Sequence, residues 1–182
     1  EANASRPYFV IKDEINRGNL SKIFGELFML IESDKRGQQM RLLYSDELFS
    51  VPENVYIIGM MNTADRSLAM LDYALRRRFA FVTINPAFDS DGFIKYQKSL
   101  ANAKFNRLID CVKELNAAIA ADDALGEGFC IGHSYFCNIQ PDSQPDLSFI
   151  VEYEILPLIS EYWFDDRPTV NKWADRLRGA IR

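Results

Sequence analysis

The chain has 182 residues, 48% of them hydrophobic and 26% charged, which suits one globular domain of ordinary size or two small ones. A formal net charge of −5 excludes a surface that binds nucleic acid throughout, because that needs a basic excess; any DNA contact requires a local patch or another domain. No apolar run approaches the roughly 18 residues of a membrane span, residues 1–7 (EANASRP) lack the pattern of a secretory signal, and the single histidine excludes histidine-rich metal sites. Cys111, Cys130 and Cys137 follow no zinc or redox spacing, and this cysteine usage suits a reducing cytoplasm.

In chain order, Tyr8 to Lys12 is a nearly continuous apolar run, the pattern of a strand covered on both faces, and it ends in Asp13-Glu14. Leu20, Ile23, Phe24, Leu27, Phe28 and Ile31 recur at three- and four-residue steps and predict an amphipathic helix over 20–32. Residues 37–52 read as a β-hairpin turning on Ser45-Asp46-Glu47. Residues 54–60 predict a second buried strand, a neighbour of the first in a parallel sheet. Leu68, Leu71 and Leu75 predict a helix over 67–77 that runs into Arg76, Arg77 and Arg78, with a third strand over 79–84.

Asn85-Pro86 then marks a break, after which helical periodicity takes over. Phe105, Leu108, Ile109, Val112, Leu115 and Ile119 predict one helix, with Cys111 as a small core residue on its apolar face. A second is predicted over 146–164, interrupted or kinked near Pro157 because proline donates no backbone hydrogen bond. A third carries Val170, Trp173, Leu177 and Ile181, and a glycine-punctuated loop covers 126–136. The expected class is α/β: a piece with a parallel sheet and a hairpin insertion (1–85), followed by a small α-helical subdomain (86–182).

Adjacent acids at the carboxyl end of a buried parallel strand stand where open α/β sheets bind ligands. In phosphate hydrolases the first acid holds Mg²⁺ through oxygen, and the second orients or deprotonates the attacking water. Here those roles fall to Asp13 and Glu14; the alternative is a pair that only ends the strand. Asn62, after the next strand, is placed to bond the γ-phosphate or the water. Asp65 is placed to hold that water or to fix Arg66, and Asp65 or Ser67 equally suits a helix cap. Of the three arginines, one satisfies the negative helix end. Another, supplied to a neighbouring subunit, acts as a finger of the kind that contributes about 10³–10⁵ in rate.

Five stretches then occur in order: Asp13-Glu14-Ile15-Asn16-Arg17-Gly18-Asn19, Met61-Asn62-Thr63-Ala64-Asp65-Arg66-Ser67, Asp72-Tyr73-Ala74-Leu75-Arg76-Arg77-Arg78-Phe79, Gly132-His133-Ser134-Tyr135-Phe136 and Tyr162-Trp163-Phe164-Asp165-Asp166. Together they resemble the McrB-type AAA+ GTPases, motor subunits of modified-cytosine-specific restriction systems, from residue 8 to about 175. The resemblance implies that Asp13-Glu14 is the Walker B pair, Asn62 is sensor 1 with Asp65 and Arg66 as its signature neighbours, Arg77 or Arg78 is the finger in trans, and 86–182 is the helical lid. It also implies Mg²⁺ with GTP or ATP, a homo-oligomeric ring (a hexamer), a McrC-like nuclease partner, and DNA read by another domain. MoxR- or dynein-like ATPases that remodel proteins share the hairpin and the RRRF ending, and a non-catalytic ring scaffold is a further alternative.

The sequence departs from the family pattern at Lys12, where an apolar residue is usual. No G-x-x-x-x-G-K-[ST] loop occurs, so the first strand and helix of such a core are expected upstream of Glu1. No arginine stands in the usual sensor 2 role, and His133 with Ser134 is the substitute expected to reach nucleotide. Without a phosphate-cradling loop, Asp13 and Glu14 would face a triphosphate as unrelieved negative charge. Residues 1–182 alone are therefore expected to bind nucleotide weakly and to hydrolyse none measurably. Isothermal titration with GTP and ATP in Mg²⁺ checks this, and sub-micromolar binding would overturn it.

Overall fold

The computed structural model describes residues 6–17, 24–25, 27–62, 64, 76–140 and 146–182. The chain divides into two compact units, Glu1–Val82 and Thr83–Arg182.

In the first unit, β1 (Tyr8–Lys12) and β4 (Val55–Gly59) pair in parallel, with Tyr8 opposite Val55 and Lys12 opposite Gly59. Asn54 secures the start of the pair by donating from Nδ2 to the Arg6 carbonyl at 2.7 Å. The neighbouring parallel strands agree with the sequence pattern, but the expected two-sided burial does not. Phe9 and Ile11 of β1 are about 60% exposed, at 61% and 62%. One face carries Phe9 stacked on Tyr56 at 5.4 Å between ring centroids and stays open. Only a small cluster, Ile15, Phe28 and Ile31 with Ile57, Met61 and Phe79 against it, packs around β4.

Helix α1 (Leu27–Leu30) is what the described residues show of the 20–32 helix; the rest of that stretch lies outside them. The hairpin forms from β2 (Met40–Arg41) and β3 (Leu48–Phe49), antiparallel, with Met40 opposite Phe49. Its turn is wider than the expected Ser45-Asp46-Glu47. Leu42 and Glu47 close it through a 2.8 Å N–H to carbonyl bond, and Arg41 clamps Asp46 through the backbone carbonyl at 2.9 Å and the carboxylate at 3.2 Å. The 67–77 helix lies outside the described residues apart from its end near Arg76. Among the described residues, 79–84 form no strand and pair with no neighbour, and Val82 and Ile84 are exposed.

The second unit is helical. Asn102 caps α3 (Ala103–Ala121) by accepting from Lys104 and Phe105, and the helix buries Phe105, Leu108, Ile109, Cys111, Val112, Leu115 and Ile119, as its periodicity predicts. A preceding helix, α2 (Asp91–Leu100), is capped by Ser90 and was not expected from its thin apolar stripe. The predicted 146–164 helix is continuous but heterogeneous: α4 (Leu147–Phe149), a π-helical stretch (Ile150–Ile155) and α5 (Leu156–Tyr162). The Leu156 N–H already reaches back to the Val151 carbonyl, so the ladder has shifted register just before Pro157. Proline then sits in the first turn of α5, where its missing N–H costs little.

Helix α6 (Arg167–Ile181) is capped by Asp166 and packs Val170, Trp173, Ala174 and Leu177 inward. The Thr169 backbone and side chain hold the Asp166 carboxyl below the usual carboxylate range, and the Arg178 fork does the same for Glu152. Burial pushes the Tyr162 hydroxyl up to about 12. No helix among the described residues is long and apolar enough to cross a membrane.

Phe105, fully buried, makes edge contacts with Tyr96 and Phe136 and joins α2, α3 and the 133–136 turn. Phe105→Ala is expected to destabilise this unit by about 3–5 kcal/mol, the usual cost of emptying a packed aromatic site. Urea unfolding followed by far-UV circular dichroism measures it, with an unchanged midpoint as the contrary result.

Candidate functional site

Because β1 and β4 are parallel neighbours, the loops leaving their carboxyl ends meet at one edge of the sheet. The chain turns sharply after Asp13, and Glu14 takes φ 50°, in the left-handed region that non-glycine residues avoid at a cost of about 1–3 kcal/mol. Four hydrogen bonds hold the turn. The Glu14 N–H donates to Asp13 Oδ1 at 2.9 Å and the Arg17 N–H to the Glu14 carbonyl at 3.0 Å. Across the sheet, the Ile15 N–H donates to the Met60 carbonyl and the Met60 N–H to the Lys12 carbonyl, both at 2.9 Å.

The turn is also pinned by packing. Ile15 is buried against Gly59 so closely that a Cβ there would stand 2.8 Å from Ile15 Cδ1 and 3.1 Å from its Cγ2. Glycine at the end of β4 is thus what lets Ile15 seat and Glu14 turn. Glu14 Oε2 is buried 3.3 Å from Arg17 Nε although the side chain as a whole is one-third exposed, while Asp13 is exposed. Lys12 is exposed as well, so its charge carries little desolvation penalty at a place where a buried apolar residue was expected.

Asn62 stands on the adjoining loop. Its Oδ1 accepts from the Ala64 N–H at 3.0 Å, an Asx turn that fixes the side chain. Its backbone carbonyl receives Asn16 Nδ2 at 3.5 Å, a long link between the two loops. Asp13, Glu14 and Asn62 therefore share one edge of the sheet. Asp65 and Arg66 lie outside the described residues.

The arginines are placed differently. Arg76 and Arg77 are exposed, whereas Arg78 turns inward: it pairs with Glu32, and its guanidinium carbon sits 4.4 Å from the centre of the Phe28 ring. Arg77 and Arg78 border a cavity of about 1050 Å³ with Glu32, Arg36, Tyr56 and Ile58, and neither Asp13, Glu14 nor Asn62 lines it. Arg36 is tied to that wall by bonds to the Ile31 and Val55 carbonyls, and burial lowers its pKa. Within this unit the arginines and the acids do not converge on one pocket.

In the second unit, His133 Nδ1 accepts from the Ala87 N–H at 3.1 Å, and the ring lies edge-on to Phe88 and Phe93. That bond puts the proton of the neutral ring on Nε2, the nitrogen left for a ligand. Ser134 is exposed beside it. Burial pushes all three cysteine thiols up, so none is poised as a thiolate nucleophile.

Among the described residues no three acidic, histidine or cysteine groups come together to hold a metal. A lone exposed carboxylate fits Mg²⁺ in a different way, since that ion keeps several waters and takes one or two carboxylates plus substrate phosphates. Asp13 meets that requirement. Sequence reasoning gave Arg17, Gly59 and Glu32 no role. The signal for Gly59 was a glycine closing an otherwise β-branched and aromatic strand, while Glu32 carried none.

Residues 2–79 match the AAA domain of the dynein-related subfamily, and residues 107–171 match the alpha-helical lid domain of McrB. The chain is 50% identical, over 96% of its length, to the Type IV methyl-directed restriction enzyme EcoKMcrB subunit of Escherichia coli (strain K12). It is 28% identical, over 67% of its length, to the Type II restriction enzyme BsuMI component YdiS of Bacillus subtilis (strain 168). The chain spans 40% and 42% of the lengths of these two relatives.

Proposed function

We propose that this chain, a member of the McrB-type AAA+ proteins, carries the hydrolytic half of a nucleoside triphosphatase that drives a restriction complex. Residues 1–85 are read as the carboxyl-terminal part of the AAA+ core and 86–182 as its lid. The observation that carries the reading is the convergence of Asp13, Glu14 and Asn62 at one sheet edge through the β1–β4 pairing. Likeness to two restriction-enzyme components and to the McrB lid favours a restriction motor over a protein-remodelling ATPase.

In this reading the Asp13 carboxylate holds Mg²⁺ together with the phosphates of GTP or ATP, and the bound ion would neutralise charge that develops on them. Glu14 takes the proton of the attacking water. Its left-handed backbone aims the carboxylate off the strand, and Arg17 at 3.3 Å limits how far it swings. Asn62, with Oδ1 occupied by the Ala64 N–H, presents Nδ2 as a donor to a phosphate oxygen or to the water. Asp65 and Arg66 are assigned to the same catalytic role beside Asn62, and His133 Nε2 with Ser134 supplies lid contacts to nucleotide.

Arg77, exposed and outside the acids' site, serves the neighbouring subunit of a homo-oligomeric ring, which we take to be a hexamer. A McrC-like nuclease subunit and a DNA-reading domain elsewhere in the protein complete the complex.

In the intact protein, Glu14→Gln is expected to abolish turnover while nucleotide stays bound, because the amide keeps size and loses basicity. Asp13→Asn is expected to raise the Mg²⁺ concentration needed for half-maximal rate. Steady-state hydrolysis with filter binding reads both, and near wild-type turnover by Glu14→Gln would reduce Glu14 to a strand-end residue.

Arg77→Ala subunits are expected to bind nucleotide but not to hydrolyse it in a homogeneous ring. Mixed with Glu14→Gln subunits they should regain partial activity, since some interfaces then join an intact site to an intact neighbouring finger. A rate that stays flat across mixing ratios would place Arg77 in its own subunit's site.

A further inference from the structure

The proposed finger leads into a segment that forms no strand, because residues 79–84 pair with no neighbour among the described residues. A finger works only if its guanidinium is placed to within a fraction of an ångström, and a 1 Å misplacement costs about 10²-fold in rate. Something in this unit has to fix the segment, and one side chain beside Arg77 does so. Arg78 is 18% exposed, the least exposed described member of the cluster, and it points back into its own unit. Its guanidinium ion-pairs with Glu32 and sits over Phe28 in a cation–π contact, its central carbon 4.4 Å from the ring centre. Phe28 in turn packs in the cluster that holds Ile15, the residue after Glu14, and Phe79, the residue after Arg78. Arg77, next in the chain, is left facing outward with no ion pair among the described residues.

We infer that Glu32 and Phe28 form a clamp on Arg78 whose purpose is to position Arg77, so that Glu32, far from the acids in sequence, is a positioning residue for hydrolysis in the neighbouring subunit. The inference rests on the trans reading of Arg77. The two adjacent arginines then divide the work: one is an anchor within its own subunit and the other is the group presented outward. The partially buried setting of the pair gives the anchor its value, because an ion pair at about one-third exposure on the acid side is less screened than a surface pair. Glu32 is suited to the task because the chain turns beside it: its own N–H bonds the Met29 carbonyl at 3.2 Å, and the Lys35 N–H bonds the Glu32 carbonyl at 3.1 Å.

The test uses the intact protein in its ring, with kcat and KM measured for Glu32→Gln, Phe28→Leu, Arg78→Lys and Arg77→Ala, and ring assembly followed by sedimentation. Glu32→Gln is expected to lower kcat by about 10²-fold with KM within about twofold, because the site that binds nucleotide is untouched. Arg78→Lys is expected to stay within about tenfold of wild type, since an ammonium still pairs with Glu32 and still lies over Phe28. Phe28→Leu, which keeps apolar volume but removes the ring face, should fall between them and decides the matter if Glu32→Gln fails to assemble. Wild-type kcat in both Glu32→Gln and Phe28→Leu, with Arg78→Lys inactive, would make Arg78 itself the finger and overturn the clamp. Wild-type kcat in Arg77→Ala would instead remove the trans reading on which the clamp stands.

Discussion

The contact of Ile15 with Gly59 is the constraint on which the rest of the site depends. Glu14 occupies a left-handed backbone conformation that its own side chain opposes, and such strain persists only when the surroundings over-determine it. Here the surroundings are two hydrogen bonds to Met60 and Lys12 and the seating of Ile15 on a strand end that has no Cβ. The cluster that receives Ile15 also receives Phe28, Ile31, Met61 and Phe79. The turn bearing the acids, the loop bearing Asn62 and the segment bearing the arginines are therefore fastened to one small apolar node.

This arrangement gives the geometry a division between rigid and adaptable parts. The backbone of the acidic turn is fixed by paired amides, whereas Asp13 stays exposed and Glu14 keeps one-third of its side chain open with Oε2 turned in. The second unit follows a different plan. Its polar groups mostly satisfy backbone positions: Asn116 accepts from the Ile131 N–H through Oδ1 and donates to the Ile131 carbonyl through Nδ2, and the Tyr96 hydroxyl donates to the Phe136 and Ile139 carbonyls and accepts from the Ile139 N–H. These bonds stitch the irregular 126–139 stretch onto α2 and α3 and hold His133 in place from behind.

How much of this was legible in the sequence depends on the range of the forces involved. Helices α3 and α6 were, because a long apolar stripe at helical spacing is local information and a cap residue stands at each start. Helix α2 was not, since its inward face is little more than Phe93, Tyr96 and Leu100, and only the Ser90 cap announced it. The pairing of β1 with β4 was legible because both runs are apolar and end in polar residues suited to a ligand edge. The strand expected at 79–84 failed because an apolar run becomes a strand only where a partner edge accepts its hydrogen bonds. The two-sided burial of β1 failed for a similar reason, since burial is set by what packs on a strand rather than by its composition. At the site, the identities of Asp13, Glu14 and Asn62 were readable from their position after strands. The Arg78–Glu32 contact joins residues distant in sequence, and no local pattern encodes it.

The π-helical turn before Pro157 also keeps the buried face of its segment in line. The inward residues Leu147, Val151 and Ile155 are spaced by fours, a stripe that would drift by about 40° per step on an ideal helix of 3.6 residues per turn. The wider turn removes that drift. Beyond Pro157 the same series of fours continues at Ile159 and Trp163, with Leu156 buried beside it. The segment thus keeps one buried line from Leu147 to Trp163 across its proline.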